Sequence, residues 1–397
     1  MLEIRSGRVD ERNRRPKLDF RLVSARHTAD GKAVTTYSQA SCNQLYDLCS
    51  AVGVGESARE YLGVQSLLME PWCEREVPPL APYPSRIGDD HSPYEYSVQF
   101  ARNSVELRLL LEAQAAAPSL RANQTAALAL NRKLAQRYGI DFSRFEQIQD
   151  LFCPEDPQAP FSIWHAACFD RTGRPDFKIY LNPRVHCGAS AEQLVTEAVT
   201  RLGLSTVARS VIRRVVDGGG EPNYFSLDLA ARLGSRVKVY FSHQDAKLEQ
   251  LESILSLAPS YRALDVVRFC RALLGDGTEL NRKSVCYCFS FAAGMDVPLA
   301  VTFHLPVGHY IANDALIMSR VSEFMASEGL PVEEYRRSVM AMARRDMHES
   351  VGLQSYFSFR REASGLKVTV YLSPELFAAP HAQFPYAAEP ISSPLRR

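Results

Sequence analysis

Five times along the chain a short run alternates polar with apolar side chains, and the polar set is the unusual one. Arg236-Val237-Lys238-Val239-Tyr240 is the clearest instance. Successive side chains of a β-strand point to opposite faces, so one face here carries two cations and a phenol while Val237 and Val239 occupy the other. Lys178-Ile179-Tyr180-Leu181 and Lys367-Val368-Thr369-Val370-Tyr371-Leu372 repeat the alternation, and Thr302-Phe303-His304-Leu305 keeps it with other residue types. The Tyr or His positions stand 60, 64 and 67 residues apart. A fifth run, Glu106-Leu107-Arg108-Leu109, ends just before position 110, which lies 70 residues upstream of Tyr180. A period of this length means one supersecondary unit used repeatedly.

The segments between the runs supply the rest of the unit. Leu45, Leu48, Cys49 and Val52 follow helical spacing from about Ser41 until Gly53 stops it. After a proline-rich connection and the turn Gly88 to Pro93, residues 94–100 and 105–111 read as a hairpin. Helices are expected near 119–138, closed by Gly139, and near 143–152. Further hairpins are expected at 161–169 with 176–182, at Tyr224–Leu227 with the Arg236 run, at 284–292 with 298–305, and at 352–360 with 366–373. The first of these turns through Arg171-Thr172-Gly173-Arg174-Pro175. Helix pairs fall between them, near 189–202 and 205–216, near 246–256 and 262–274, and from Asn313 and Pro331. The fold class is therefore α+β, with ten antiparallel strands in five hairpins. Ten strands with helices on one face can close into a barrel. Residues 1–37, polar and basic, and 378–397, rich in Ala and Pro, are expected to be disordered on either side of a single domain over 38–377.

In such a barrel the apolar strand faces pack outward on the helices, and the polar faces line the lumen. Buried unpaired cations are expensive, so this arrangement calls for a polar ligand. Arg108, Lys178, Arg236, Lys238 and Lys367 in one space point to a multiply anionic partner such as a diphosphate. No G-x-x-x-x-G-K-[ST] loop is present to suggest a nucleotide, and Gly218-Gly219-Gly220 lies between a helix and a strand, the wrong order for a phosphate cradle. An allylic diphosphate ionises to a carbocation, which aromatic faces stabilise by about 2 kcal/mol or more per ring once desolvated. Tyr180, Tyr240, Tyr356 and Tyr371 can line that chamber.

Net charge is +1, which excludes a global nucleic-acid or membrane-attracting field. Nine cysteines with no C-x-x-C pair fit reduced thiols, and no stretch is long and apolar enough to span a bilayer. Cys286 and Cys288 share a face but lack partners for a zinc site. Adjacent Asp89 and Asp90 sit in a turn with no second aspartate cluster, so they read as turn and cap residues, not as magnesium ligands. The expectation is a cytoplasmic protein without a metal or other cofactor.

Several motifs carry a resemblance. Ser85-Arg86-Ile87-Gly88-Asp89-Asp90-His91-Ser92-Pro93-Tyr94-Glu95-Tyr96-Ser97 resembles the signature of the dimethylallyltryptophan synthase family of indole prenyltransferases. So do Lys178-Ile179-Tyr180-Leu181-Asn182-Pro183, the Arg236-x-Lys238-x-Tyr240 strand, Leu305-Pro306-Val307 with Tyr310 and Asn313-Asp314, and Tyr371-Leu372-Ser373-Pro374-Glu375. The resemblance runs in order from about residue 41 to 377. It implies the ABBA fold, a ten-stranded barrel ringed by helices. It also implies that Glu95 holds the indole N–H, that Arg108, Lys178, Arg236 and Lys238 hold the diphosphate, and that Tyr180, Tyr240, Tyr356 and Tyr371 shield the cation. Thr302-x-His304 departs from the fungal members and looks like the shorter bacterial ones.

The expected activity is metal-independent transfer of a dimethylallyl group from dimethylallyl diphosphate to the indole of tryptophan or a small tryptophan-derived peptide, as in alkaloid and other secondary metabolism. Geranyl diphosphate as donor, or a phenolic acceptor, stays open within the same fold, as does a non-catalytic barrel that binds an anionic amphiphile. The enzyme is expected as a monomer or homodimer. A neutral imidazole suits removal of the last ring proton, and two qualify: His304 at the tyrosine position of the fourth repeat, and His165 in the partner strand of the second hairpin, 13 residues before Lys178.

Overall fold

A computed structural model describes residues 26–27, 33–169, 175–204, 206–229, 235–277 and 279–377. Most of the expected leader, the whole of the expected tail 378–397 and the turn residues 171–174 lie outside the described residues.

Ten strands form a closed antiparallel barrel: β1 Tyr94–Ala101, β2 Ser104–Leu111, β3 Ile163–Phe169, β4 Pro175–Leu181, β5 Glu221–Asp228, β6 Val237–His243, β7 Val285–Phe291, β8 Ala300–Leu305, β9 Gln354–Glu362 and β10 Gly365–Leu372. Each strand pairs with its neighbours in sequence, and β10 pairs with β1 to close the ring. The helices come two by two before each hairpin: α1 Tyr37–Ala51 with α2 Ala58–Met69, α4 Ala191–Arg201 with α5 Thr206–Asp217, α6 Leu248–Leu255 with α7 Asp265–Leu274, and α8 Asp314–Ser327 with α9 Val332–Met342. Before β3 the pair is α3 Leu120–Tyr138 and a broken partner. Where one helix is expected over 143–152, two single turns occur, Ser143–Glu146 and Gln149–Phe152, with Ile148 fully buried at the break.

The helix ends follow local chemistry. Gly139 closes α3 with φ 63°, the left-handed conformation that glycine adopts without strain. Helix α1 begins four residues earlier than its apolar spacing suggests, because Thr36 and Gln39 form a capping box: the Gln39 N–H donates to Thr36 Oγ1 at 3.1 Å and the Thr36 N–H donates to Gln39 Oε1 at 3.0 Å.

The hydrophobic core is annular. Val237, Val239 and Phe241 on β6, with Phe225 and Leu227 on β5, are fully buried between the barrel and its ring of helices. Each such side chain contributes about 1.5–3 kcal/mol by burial. Phe269 of α7 illustrates the packing, its ring lying 4.8 Å from that of Phe359 and 5.5 Å from that of Phe357. With apolar demand met outside the wall, the inward faces are released to carry polar groups.

Candidate active site

The lumen is ordered along its axis. Antiparallel pairing puts the strand ends joined within each hairpin at one end of the barrel and the strand ends that lead to helices at the other. Pairing register puts Arg108, Lys178, Lys238, Arg360 and Lys367 near the hairpin end, because Lys178 stands opposite Asp228, Lys238 opposite Ser226, and Arg360 opposite Lys367. Arg236 shares their side but sits at the rim, partly exposed, just before β6, where its Nε donates to Asp228 at 2.7 Å. Arg108 pairs with Glu106, and Lys367 and Arg360 pair with Glu362 at 2.6 and 2.9 Å. Gln99 Oε1 accepts from Arg108 at 2.6 Å and from Arg360 at 3.3 Å, tying two guanidinium groups together. Six cations thus face three carboxylates at this end of the lumen.

Lys238 is the cation of this group that forms no ion pair among the described residues. It is buried and stands between Ser226 and Ser290, whose hydroxyls also lack partners. Burial and the nearby charges of Lys178, Arg360 and Arg236 push its pKa down to about 7. Arg360 Nε is likewise unpaired. Buried polar groups are normally satisfied, so this concentration of orphan donors marks a place built for an anion.

Above the cations a belt of rings lines the lumen, with Tyr180, Tyr240, His304 and Tyr371 sharing one pocket with Arg108, Lys178 and Lys238. Ring centroids follow one another at 5.8 Å for Tyr180 and Tyr240, 6.0 Å for Tyr240 and His304, and 5.7 Å for His304 and Tyr371. Tyr356 joins edge-on to Tyr371 at 6.2 Å. His304 Nδ1 shares a hydrogen bond with the Tyr371 hydroxyl at 3.2 Å, while Nε2 has no partner. Burial, then Lys238, Arg108 and Arg360, depress the imidazole pKa to about 3, so the ring is neutral at ordinary pH.

At the helix end, Glu95 enters the lumen from β1. The Ser355 hydroxyl donates to its Oε2 at 2.8 Å, yet burial dominates and, helped by Asp89 and Asp90, lifts the carboxyl pKa to about 8. Asp90 does what its turn position predicts, accepting the Ser92 N–H at 3.1 Å and the Ser92 hydroxyl at 2.5 Å. Gly88 makes room for it, since a Cβ there would stand 2.5 Å from Asp90 Oδ1. Asp89 instead pairs with Lys283 at 3.0 Å. Among the described residues no group of three or more His, Cys, Asp and Glu converges as metal ligands would.

The structure therefore brings Glu95, His304, Arg108, Lys178, Lys238, Lys367 and the four tyrosines to one lumen, with Arg236 at its rim. It does not bring His165 there. His165 stands opposite Leu111 and Ile179 on the outer face of β3, where Nε2 lies 2.7 Å from Asn131 Oδ1 on α3. Ile163 to Phe169 is apolar on both faces, so its sequence gives no reliable sidedness; the neighbour Trp164 is the residue that turns inward, level with Tyr180. Arg360 and Gln99 were missed. The alternation Phe357-Ser358-Phe359-Arg360 is the signal for the first, and Glu95-Tyr96-Ser97-Val98-Gln99, which puts Gln99 on the face of Glu95, is the signal for the second.

Comparison with known proteins agrees with this geometry. A family described as tryptophan dimethylallyltransferase matches residues 65–341. The structure resembles 6-dimethylallyltryptophan synthase from Micromonospora olivasterospora, solved with DMASPP and Trp, at 29% identity and a TM-score of 0.81, covering 87% of this chain and 99% of that one. It also resembles 5-dimethylallyl tryptophan synthase from Streptomyces coelicolor, in complex with the same two ligands, at 27% identity and a TM-score of 0.78, covering 91% and 100%. A third match is PriB in a binary complex with product diphosphate, at 25% identity and a TM-score of 0.77, covering 86% and 97%.

Proposed function

The chain belongs to the tryptophan dimethylallyltransferase family, and on that premise we propose that it transfers a dimethylallyl group from dimethylallyl diphosphate to the indole ring of tryptophan, releasing diphosphate. The observation that carries this reading is the axial order of the lumen: surplus cations at one end, a belt of rings in the middle, and a buried carboxyl at the other.

Each tier has a step to perform. Arg108, Lys178, Lys238, Arg360 and Lys367, with Arg236 at the rim, hold the diphosphate, and their unpaired hydrogen-bond capacity strengthens as negative charge accumulates on the leaving oxygen. Tyr180, Tyr240, Tyr356 and Tyr371 face the allylic cation and keep water from it. Glu95 accepts the indole N–H, which orients the ring and raises its electron density as the cation approaches. His304 takes the proton from the alkylated ring carbon through Nε2. Burial is the larger cause of its low basicity; bound diphosphate neutralises the cations that add to it and so moves the imidazole back towards its ordinary basicity.

The same cations supply the countercharge that magnesium gives in other prenyl-transfer sites, so turnover is expected to need no metal. All nine cysteines are free, fitting a reducing, cytoplasmic setting. No helix among the described residues is long and apolar enough to cross a membrane. Incubation with isotopically labelled dimethylallyl diphosphate and tryptophan, followed by mass spectrometry, tests the function. A prenylated tryptophan with stoichiometric diphosphate is expected. Binding of both ligands with no release of diphosphate would instead leave a barrel that only sequesters an amphiphile.

A further inference from the structure

Along β9 the inward and outward faces do not alternate strictly. Phe357 and Phe359 pack outward on Phe269 of α7, while Ser358 and Arg360 line the lumen. Strict alternation would turn Tyr356 and Gln354 inward and Ser355 outward. Instead Gln354 pairs with Leu372 and Phe357 with Val370, three steps along β9 against two along β10. This is a β-bulge, and its extra residue lets Ser355 and Tyr356 enter the lumen together. The Ser355 hydroxyl donates to Glu95 Oε2 at 2.8 Å, and the Tyr356 ring meets that of Tyr371. Gln354 is turned outward, towards the helices.

The bulge is held from outside the barrel. Asp314, the first residue of α8, is fully buried, and its two carboxylate oxygens accept the backbone N–H groups of Leu353 and Gln354 at 3.1 and 2.9 Å. Its carbonyl accepts the Gln354 side-chain amide at 2.9 Å, and Gln354 Oε1 accepts the Tyr335 hydroxyl of α9 at 2.5 Å. Arg345 supplies the countercharge, pairing with Asp314 at 2.5 Å and with Glu375 at 2.7 Å. Charge-assisted bonds to two successive backbone N–H groups in a buried network fix that stretch of chain. None of the roles assigned above uses Asp314, Gln354 or Tyr335.

Ser355 is the one hydrogen-bond donor to the Glu95 carboxyl among the described residues. Asp89, Asp90, Lys283, Tyr356 and Tyr371 are the other ionisable groups that act on it, and they do so through charge alone. Resting on the reading that Glu95 receives the indole N–H, we propose that Ser355 is a positioning residue for that carboxyl, and that Asp314, behind the barrel wall, sets Ser355 by locking the bulge. Ser355 ties down one carboxylate oxygen and leaves the other for the indole. A helix residue that never touches substrate thus fixes where the indole is held.

The test compares Ser355→Ala, Ser355→Thr and Tyr335→Phe, the last of which loosens the bulge while keeping the buried charge of Asp314. An infrared difference titration of the Glu95 carboxyl, referenced to Glu95→Gln, needs no turnover; kcat/KM for tryptophan against pH is the second readout. Removing the hydroxyl withdraws a hydrogen bond that favours the ionised form. Ser355→Ala should therefore titrate at higher pH, carry its kcat/KM limb upward with it, and lose about tenfold or more in kcat/KM at pH 7. Ser355→Thr should restore both, and Tyr335→Phe should move both in the same direction by less. A Ser355→Ala enzyme with the wild-type titration and pH limb overturns the assignment, whatever its melting temperature. A folded Tyr335→Phe enzyme with the wild-type profile overturns the part given to the outer network. If the titration shifts as expected but the wild type prenylates no tryptophan, the enzymatic reading fails while the positioning of Glu95 stands.

Discussion

At the scale of single residues, the lumen is governed by what burial does to charge. Glu95 keeps its proton to about pH 8, whereas an unfolded glutamate loses it in the ordinary carboxylate range. Between those values the unfolded chain ionises and the fold does not, so this group's contribution to stability declines as pH rises and is lost once pH passes about 8. Glu112, pushed up to about 7 by burial, acts in the same direction. Thermal melts across pH 5–9 should therefore show a decline that Glu95→Gln flattens. Activity should move the other way. The ionised form accepts the indole N–H more strongly than the protonated acid does, so kcat/KM should rise with pH towards about 8, and Glu95→Gln should lose both that limb and about 10²- to 10⁴-fold in rate. Lys238 offers a separate readout. With a pKa near 7 it is largely neutral at pH 8, and a bound diphosphate restores its proton. Calorimetry of diphosphate binding at pH 8, in two buffers of different ionisation heat, should show proton uptake that disappears in Lys238→Ala. Identical heats in both buffers would count against it. Replacing His304 with Phe should slow turnover or shift the distribution of prenylated products, and unchanged rate and products would mean that another group removes the proton.

At the scale of elements, what could be read from sequence depended on whether a strand's two faces differ. On β4, β6, β8 and β10 they do, and the alternation placed Lys178, Tyr180, Lys238, Tyr240, His304, Lys367 and Tyr371 on the inner face without any structure. On β3 both faces are apolar, and His165 was assigned to the wrong side of the wall. Nothing in a period-two pattern could locate the loop contacts of Lys283, Asp89 and His309, because Asp89 lies 194 and 220 positions from the other two and none of the three belongs to an alternating run. The correction at β3 is itself checkable. His165→Leu leaves Asn131 facing an apolar side chain, which should cost about 1–3 kcal/mol of stability. The product distribution should stay the same, since the substitution lies behind the barrel wall; altered regiochemistry would contradict the observed register.

At the scale of the molecule, the barrel keeps like charges close together, and a bound diphosphate would neutralise them. Inorganic diphosphate should raise the melting temperature, with about 2.7 kcal/mol of stabilisation expected at a hundredfold excess over Kd, more at low ionic strength than at high. Turnover should persist in excess chelator, and an activity lost to EDTA and restored by magnesium would show that the luminal cations do not suffice. The closing of the sheet has a different consequence. Every strand pairs with its neighbours in sequence, and the β10–β1 seam is an antiparallel joint like the other nine. The segment after β10 stays beside α1, where the Gln44 side-chain amide donates to the Pro374 carbonyl at 2.9 Å. The ring therefore has no privileged starting point. A circular permutant that links the two ends across this seam and opens between α6 and α7 should assemble the same lumen, with every site residue in its original neighbourhood.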